Sequence, residues 1–359
     1  MFSSLTQPFS QIQRIHCVNI SFHFIMRISF FLFVFINSSI FAQFGPGGVG
    51  NVSNNGLWLR ADALTTYANN ALVNEWTDFS GNANHGANAI IAEQPNFIQS
   101  SPINGRAALY FDGALDQLLV ADDPILDNSA GFSFYSVVRP DNLNNAPRGI
   151  IGKRITQNTA VEYAYTFFLW SNGELYLDIH TQNNRFNSNP VSYVNNTNYM
   201  AGFTFDGSLA FNQRSKIYEA GNLIAVSDET STSLPNSSQD LCIGGLNRDY
   251  LSGGNQTRLG GHFAELVQYN FTLNEAQRII VENYLGAKYN ITIANDLFNF
   301  EATHAGEVAG IGRIDVNNFH NDAQGSALVR INTPSNLNNG EFLIWGTMNY
   351  PFLKIMWWT

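Results

Sequence analysis

Cysteine is nearly missing from this chain, with two residues in 359, Cys17 and Cys242. That count excludes a disulfide-stapled miniature fold, and the lack of any C-x-x-C pair leaves zinc-ribbon and thioredoxin-like readings without a motif. Charge is sparse as well, at 13% of residues, too low for a coiled coil or a charged disordered tail. Basic residues are the scarcer kind, 18 against 28 acidic, for a formal net charge of -10. The longest basic cluster is the pair Lys153 and Arg154, so a phosphate backbone would meet repulsion and nucleic acid is not an expected partner. No apolar run approaches the roughly 20 residues of a membrane-spanning helix, so no span is expected in the mature chain. G-x-S-x-G and G-x-x-x-x-G-K-[ST] are also absent, which removes support for a serine hydrolase or a P-loop nucleotide site. His85, His180, His262, His304 and His320 lack close ligand spacing, and zinc or iron is not expected.

What is present begins with an address. Met26 and Arg27 precede the apolar stretch Ile28 to Ile36, and Ala42 stands before Gln43. A positive start, a short apolar stretch and a small residue at the cut are the order of a secretory signal peptide. Met26 is the expected true start, residues 1–42 are removed on export, and a secreted or extracellular cell-surface location follows. Removal takes away Arg14 and Arg27 but no acid, moving the charge from -10 to -12 and leaving Cys242 alone. Residues 43–55, rich in Gly and Asn, read as a linker.

From residue 56 onward, short apolar or aromatic runs alternate with Asn, Gly, Asp and Pro. In Glu174–Leu175–Tyr176–Leu177–Asp178–Ile179 the three aliphatics share one strand face, which covers a core while the other face meets water. Asn172–Gly173 separates that run from the one ending at Trp170 and predicts a hairpin with a type I′ turn. Asp206–Gly207 interrupts another aromatic run, ahead of a longer connection. Many strands without long intervening helices predict an antiparallel sandwich. One helix is expected over residues 273–288, with Thr272 and Glu275 as its capping box and Ala276, Ile280, Tyr284 and Ala287 along its packed face. Residues 296–359 carry three strand candidates, at 308–311, 327–331 and 342–345, and end in an aromatic cluster. A segment of this size is expected to be docked or incomplete, and truncation inside a module is the expectation.

The stretches GLWLRAD (56–62), VNEWTDFSGNANHG (73–86), INGRAALYFDG (103–113), FSFYSVVRP (132–140), GHFAELVQYNFTLNEAQR (261–278) and ENYLGAKYNI (282–291) resemble, in order and spacing, a laminin-G-like domain of secreted bacterial surface proteins. The resemblance implies an all-β, concanavalin A-like antiparallel jelly-roll sandwich over residues 56–293, with one peripheral C-terminal helix. AGIGRIDVNN (309–318) resembles the start of the small strand-rich module that often follows it, giving a short β-rich extension over 296–359. The wider fold acts in recognition of glycans or proteins, and some relatives hydrolyse polysaccharides.

Glycoside cleavage needs two carboxylates across the scissile bond. The nearest approximation is Glu174 with Asp178, about 13 Å apart along one strand face. That separation exceeds the roughly 6.5–9.5 Å of an inverting pair, so both read as solvated strand carboxylates and no catalytic residue is assigned. Glu265, between Phe263 and Val267, either faces an aromatic-lined cleft or pairs with a basic residue or backbone amide. In DFSGNANHG, residues Asp78, Ser80, Asn82 and Asn84 place oxygens at alternate positions and are candidates for Ca²⁺; a hydrogen-bonded Asx-turn loop without metal is the alternative. Gly244, Gly245, Gly253 and Gly254 flank NRDYLS and suggest a mobile surface loop. Trp58 and Trp170 are expected in the core. Tyr176, Tyr250, Trp76 and Glu265 are the candidate ligand-binding residues, because sugars stack on aromatic faces beside hydrogen-bonding groups. The expected function is non-catalytic recognition of a polysaccharide, cell-surface glycan or protein. A glucanase-type hydrolase and a structural spacer are the alternatives.

Overall fold

A computed structural model describes residues 45–348 except 128, 144–146, 156–162, 181–184, 228–230, 249–250, 253–254 and 326–328. The export segment at 1–42 and the aromatic end at 349–359 therefore lie outside the described residues, as do Tyr250, Gly253 and Gly254.

In chain order the first strands are β1 (Asn55–Arg60), β2 (Glu75–Trp76), β3 (Gly86–Ala87), β4 (Asn96–Ile98), β5 (Ala108–Asp112) and β6 (Leu118–Val120). There follow β7 (Gly131–Pro140), β8 (Arg148–Arg154), β9 (Tyr163–Leu169), β10 (Glu174–Ile179), β11 (Phe186–Ser192) and β12 (Tyr199–Asp206). The body closes with β13 (Ser215–Glu219), β14 (Asn222–Ser227), β15 (Leu241–Ile243), β16 (Leu251–Ser252), β17 (Asn255–Gln256) and β18 (Gly260–Tyr269). Helices α1 (Glu275–Tyr289) and α2 (Glu301–His304) come next, and then β19 (Gly306–Arg313), β20 (Phe319–His320), β21 (Asp322–Gly325), β22 (Val329–Asn332) and β23 (Glu341–Thr347).

Two antiparallel eight-stranded sheets form the body. One runs β14-β13-β12-β7-β18-β5-β4, with β1 also on β18; the other runs β11-β10-β9-β8-β15-β6-β3-β2. Strand β18 serves two neighbours along one edge, β5 at Gly260–Phe263 and β1 at Glu265–Tyr269, with a bulge at Ala264 between its paired segments on β7. Between the sheets lies an aromatic core in which Phe203 packs on Phe132, Phe134, Tyr165 and Phe167 at ring separations of 5.1–6.2 Å. Truncating so central a ring costs about 3–5 kcal/mol.

The first sheet has a second apolar face. Bulging at Ala264 lets Phe263 and Leu266 enter the core while Ala264, Val267 and Tyr269 turn outward, to a cluster with Ile280, Tyr284 and Leu285 of α1. The helix starts two residues later than the sequence suggests: Asn274 is the N-cap and forms the capping box with Gln277, while the Thr272 hydroxyl donates to the Phe205 carbonyl. Asn290 ends it at φ 52°. All its residues except Glu275 and Gln277 are buried, because β19 packs on the side away from the sheet. Gly286 sits where an added Cβ would lie 3.0 Å from Ile293, so the interior glycine is a packing requirement.

Residues 45–50 are not a loose tether here. Val49 is fully buried against the helix cluster, Gly47 bridges Ala309 in parallel, and His320 Nε2 lies 3.1 Å from the Gly48 carbonyl. Beyond α2, β20-β19-β23 and β21-β22 form two small sheets, matching the three strand regions expected there and adding β20 and β21.

The 172–173 hairpin is present, but its turn is different. Asn172 is absent from the residues at positive φ, Gly173 has φ 80°, and Trp170 and Glu174 pair across a three-residue loop. This is a type I turn closed by a glycine bulge, whereas type I′ needs positive φ at both centres. The Gly244–Asn247 stretch is also not a mobile surface loop: it is buried and crosses the outer face of β8. Gly149 and Gly152 make room for it, since an added Cβ would lie 2.1 Å from Gly245 C and 1.8 Å from Leu246 O.

Candidate binding face

Helix α1 covers the outer face of the first sheet and the Gly244–Asn247 crossing covers β8; on the outer side of β9–β11, partial exposure remains at Trp170, Tyr176 and along β11. Alternation decides what stands there. Tyr165, Phe167 and Leu169 of β9 and Leu175, Leu177 and Ile179 of β10 point into the core, which sends Thr166, Phe168, Trp170, Glu174, Tyr176 and Asp178 outward.

Register then builds an aromatic row. Tyr176 pairs with Phe168 across β10 and β9, their rings stacked at 5.4 Å and 19°, and Trp170 lies 5.9 Å from Tyr176. Arg185 lays its guanidinium over this row, 5.1 Å from Phe168, 5.9 Å from Trp170 and 6.0 Å from Tyr176. Its Nε and Nη2 donate to the Asp178 carboxylate at 2.8 and 2.9 Å. Burial works against the Arg185 charge, but the Asp178 contact outweighs it and holds the guanidinium above its ordinary range. Asp178 also accepts from the Tyr163 hydroxyl at 2.8 Å, and Tyr163 in turn accepts from Arg154.

Glu174 organises the other end. Its carboxylate accepts from Tyr176 Oη at 3.0 Å and from the side-chain amides of Asn187 and Asn189 at 2.8 Å each. The result is an open shelf of Trp170 and Tyr176, both half-buried, edged by Arg185, Asn187 and Asn189. Concavities of about 620 Å³ and about 520 Å³ lie beside the C-terminal and N-terminal ends of α1.

Several sequence expectations change. Glu174 and Asp178 share the outer face but are not solvated: they are 8% and 0% exposed, because Arg185 and the asparagines cover them. Trp170 leaves the core for the shelf, as the alternation after Tyr165 requires, whereas Trp58 is buried. Tyr176 stands outward as expected. Trp76 has no exposed surface and packs in the core, so its ring offers no stacking face.

Glu265 is likewise fully buried, away from the shelf. It accepts from Trp58 Nε1 at 2.6 Å, Tyr284 Oη at 2.8 Å, Lys288 Nζ at 2.7 Å and Tyr289 Oη at 2.8 Å. This is the basic-partner alternative: the acid clasps α1 to β18. Lys288 reaches Asp62 too, at 3.1 Å. Burial pushes Asp62 up, yet Lys288 and Arg60 outweigh it and bring that carboxyl down to about 2.

The Asp78 loop is knotted by its own hydrogen bonds. Asp78 Oδ1 accepts from the amides of Trp58 and Ser80, and Oδ2 from the Ser80 hydroxyl and the Asn84 amide, all within 3.0 Å. Asn82 and Asn84 aim their amide nitrogens at the carbonyls of Val52, Asn55 and Gly56. The four residues thus come together, with the acid already taking up four protein donors. Among the described residues no group of three or more His, Cys, Asp or Glu is placed to hold a metal ion.

Sequence reasoning missed Arg185, Asn187 and Asn189. FNSNPVS reads as a polar loop; the available signal was Asn at 187 and 189, two apart and therefore on one face of an edge strand.

No family model matches the chain, and neither does any curated protein. Among solved structures it is similar to domain 4 of AbnA, a GH43 extracellular arabinanase from Geobacillus stearothermophilus, in complex with arabinotriose. That match has 12% identity and a TM-score of 0.43, covering 64% of this chain and 98% of that one. It is similar as well to the Ruminococcus gnavus IT-sialidase CBM40 bound to α2,3-sialyllactose, with 11% identity, a TM-score of 0.37, and coverage of 47% and 91%. A third is the binding domain of Paraclostridial Mosquitocidal Protein 1, with 13% identity, a TM-score of 0.45, and coverage of 65% and 53%. No helix among the described residues is long and apolar enough to cross a membrane.

Proposed function

We propose that the protein is a non-catalytic glycan-recognition module of a secreted or cell-surface bacterial protein, built on a concanavalin A-like, laminin-G-like jelly roll. One observation carries the reading: Trp170 and Tyr176 stand half-exposed on the accessible sheet face, beside Arg185, Asn187 and Asn189 held in fixed orientations by Asp178 and Glu174. Aromatic rings take the apolar faces of sugars, and pre-oriented amides and guanidinium satisfy hydroxyls at little ordering cost. The carboxylates on this face are occupied as acceptors, which favours recognition over glycosidic hydrolysis. A spacer would not require such a shelf. Recognition at the shelf is read as independent of the Asp78 loop and its proposed Ca²⁺.

The test is binding of the secreted chain to a panel of soluble polysaccharides by affinity electrophoresis and calorimetry. Trp170→Ala and Tyr176→Ala should each weaken binding by about tenfold or more, with folding intact by circular dichroism. Binding that survives both substitutions unchanged moves the site off this face.

A further inference from the structure

Lys153 has no exposed surface, and its ammonium sits inside a cage of oxygens. Nζ lies 2.5 Å from Asp122 Oδ1, 2.5 Å from the Ser237 carbonyl, 2.7 Å from the Gln239 carbonyl and 3.2 Å from Asp127 Oδ2. Three chain segments meet there: β8, the stretch between β6 and β7, and the stretch leading into β15. Asp127 is 1% exposed, and its Oδ1 has no hydrogen-bond partner although it is buried beside the cage. Two carboxylates and two carbonyls, with one carboxylate oxygen to spare, are ligands of the hard-cation kind.

We propose that this cage is a cation site whose resident cation is the Lys153 ammonium, and that a variant lacking the ammonium takes up Ca²⁺ in its place. A tethered cation needs no ion from the medium, so the junction of these segments holds at any external Ca²⁺ concentration. Removing the ammonium leaves Asp127 buried with no cation and, among the described residues, only the Ser237 amide, which donates to Oδ2 at 2.8 Å, a strongly unfavourable state until another cation enters.

The experiment compares the parent, Lys153→Ala, and Lys153→Ala with Asp127→Asn, each melted in chelator and in 10 mM CaCl2. Lys153→Ala should melt well below the parent in chelator and recover by about 2–4 °C with Ca²⁺ beyond any shift of the parent, whereas the double variant should recover no more than the parent does. The parent's own response to Ca²⁺ is the baseline, since an ion at the Asp78 loop moves all three proteins alike. A Lys153→Ala protein that melts with the parent, or that ignores Ca²⁺, overturns the proposal. If Lys153→Ala does not fold in chelator, refolding yield is the readout: recovery only with Ca²⁺ supports the cage as a cation site, and equal failure in both buffers overturns it.

Discussion

Arg185 meets Asp178 edge to edge, Nε to Oδ1 and Nη2 to Oδ2. The pairing fixes the plane of the guanidinium over Phe168, which a lysine, with one point of charge, cannot reproduce.

Substituting Arg185→Ala leaves Asp178 buried with, among the described residues, only the Tyr163 and Thr166 hydroxyls as partners. The expected cost is about 2 kcal/mol, reduced from that of a fully buried pair because the Arg185 side chain is 31% exposed. Urea unfolding measures it. Arg185→Lys should restore part of the stability but little of any glycan affinity, a split that separates support of the fold from recognition.

Glu265→Gln tests the clasp between helix and sheet. Four donors converge on that carboxylate, and the amide leaves Lys288 with Asp62 as its one carboxylate partner, beside the Tyr284 hydroxyl. A loss of about 2–4 kcal/mol is expected. Hydrogen exchange should quicken first along Glu275–Tyr289 while β9 and β10 stay protected.

Stability should also respond to pH through Asp116. Burial raises its carboxyl from the ordinary 3.8 to about 6, and the Asp112 amide hydrogen bond opposes this only in part. A raised carboxyl contributes stability that is fully present below about 3.8 and is lost as pH climbs through 6. Asp116→Asn keeps an acceptor for the Asp112 amide and removes the charge. The variant should therefore be more stable than the parent at pH 7.5, and the difference should shrink as pH falls through 6 and fade below about pH 3.8. Melting temperatures across that range provide the check.

For the loop at Asp78, four hydrogen bonds on one carboxylate set the expectation. Asp78→Ala strands three buried amides, those of Trp58, Ser80 and Asn84, and should cost about 2 kcal/mol or more in chelator. Should Ca²⁺ bind the loop as well, the parent and Asp78→Ala will separate further in excess Ca²⁺; equal separation in both buffers assigns the rigidity to hydrogen bonds.

Periodicity made the strongly patterned elements legible. β10 falls on the expected residues, since aliphatics two apart leave no competing register. β8 and β11 escaped because RGIIGKR carries charge at both ends and FNSNPVS carries Asn and Pro, compositions that read as loop until neighbours cover them. The same limit applied to the shelf. Tyr176 could be placed outward from its own strand, while Arg185 depends on the pairing of β11 with β10, a relation between segments that local pattern does not encode. Burial of Glu265 was likewise a matter of what lands on top: its strand neighbours fix its direction, but Tyr284, Lys288 and Tyr289 arrive from a separate helix.

The wedging of Gly47 against Ala309 has a mechanical sense. Traction on β23 passes to β19 and from there to α1 and to the glycine-rich segment bridged to it. Pulling the small sheets away must therefore break the Gly47–Ala309 bridge as well as the α1–β19 packing, so the junction resists load at two attachments.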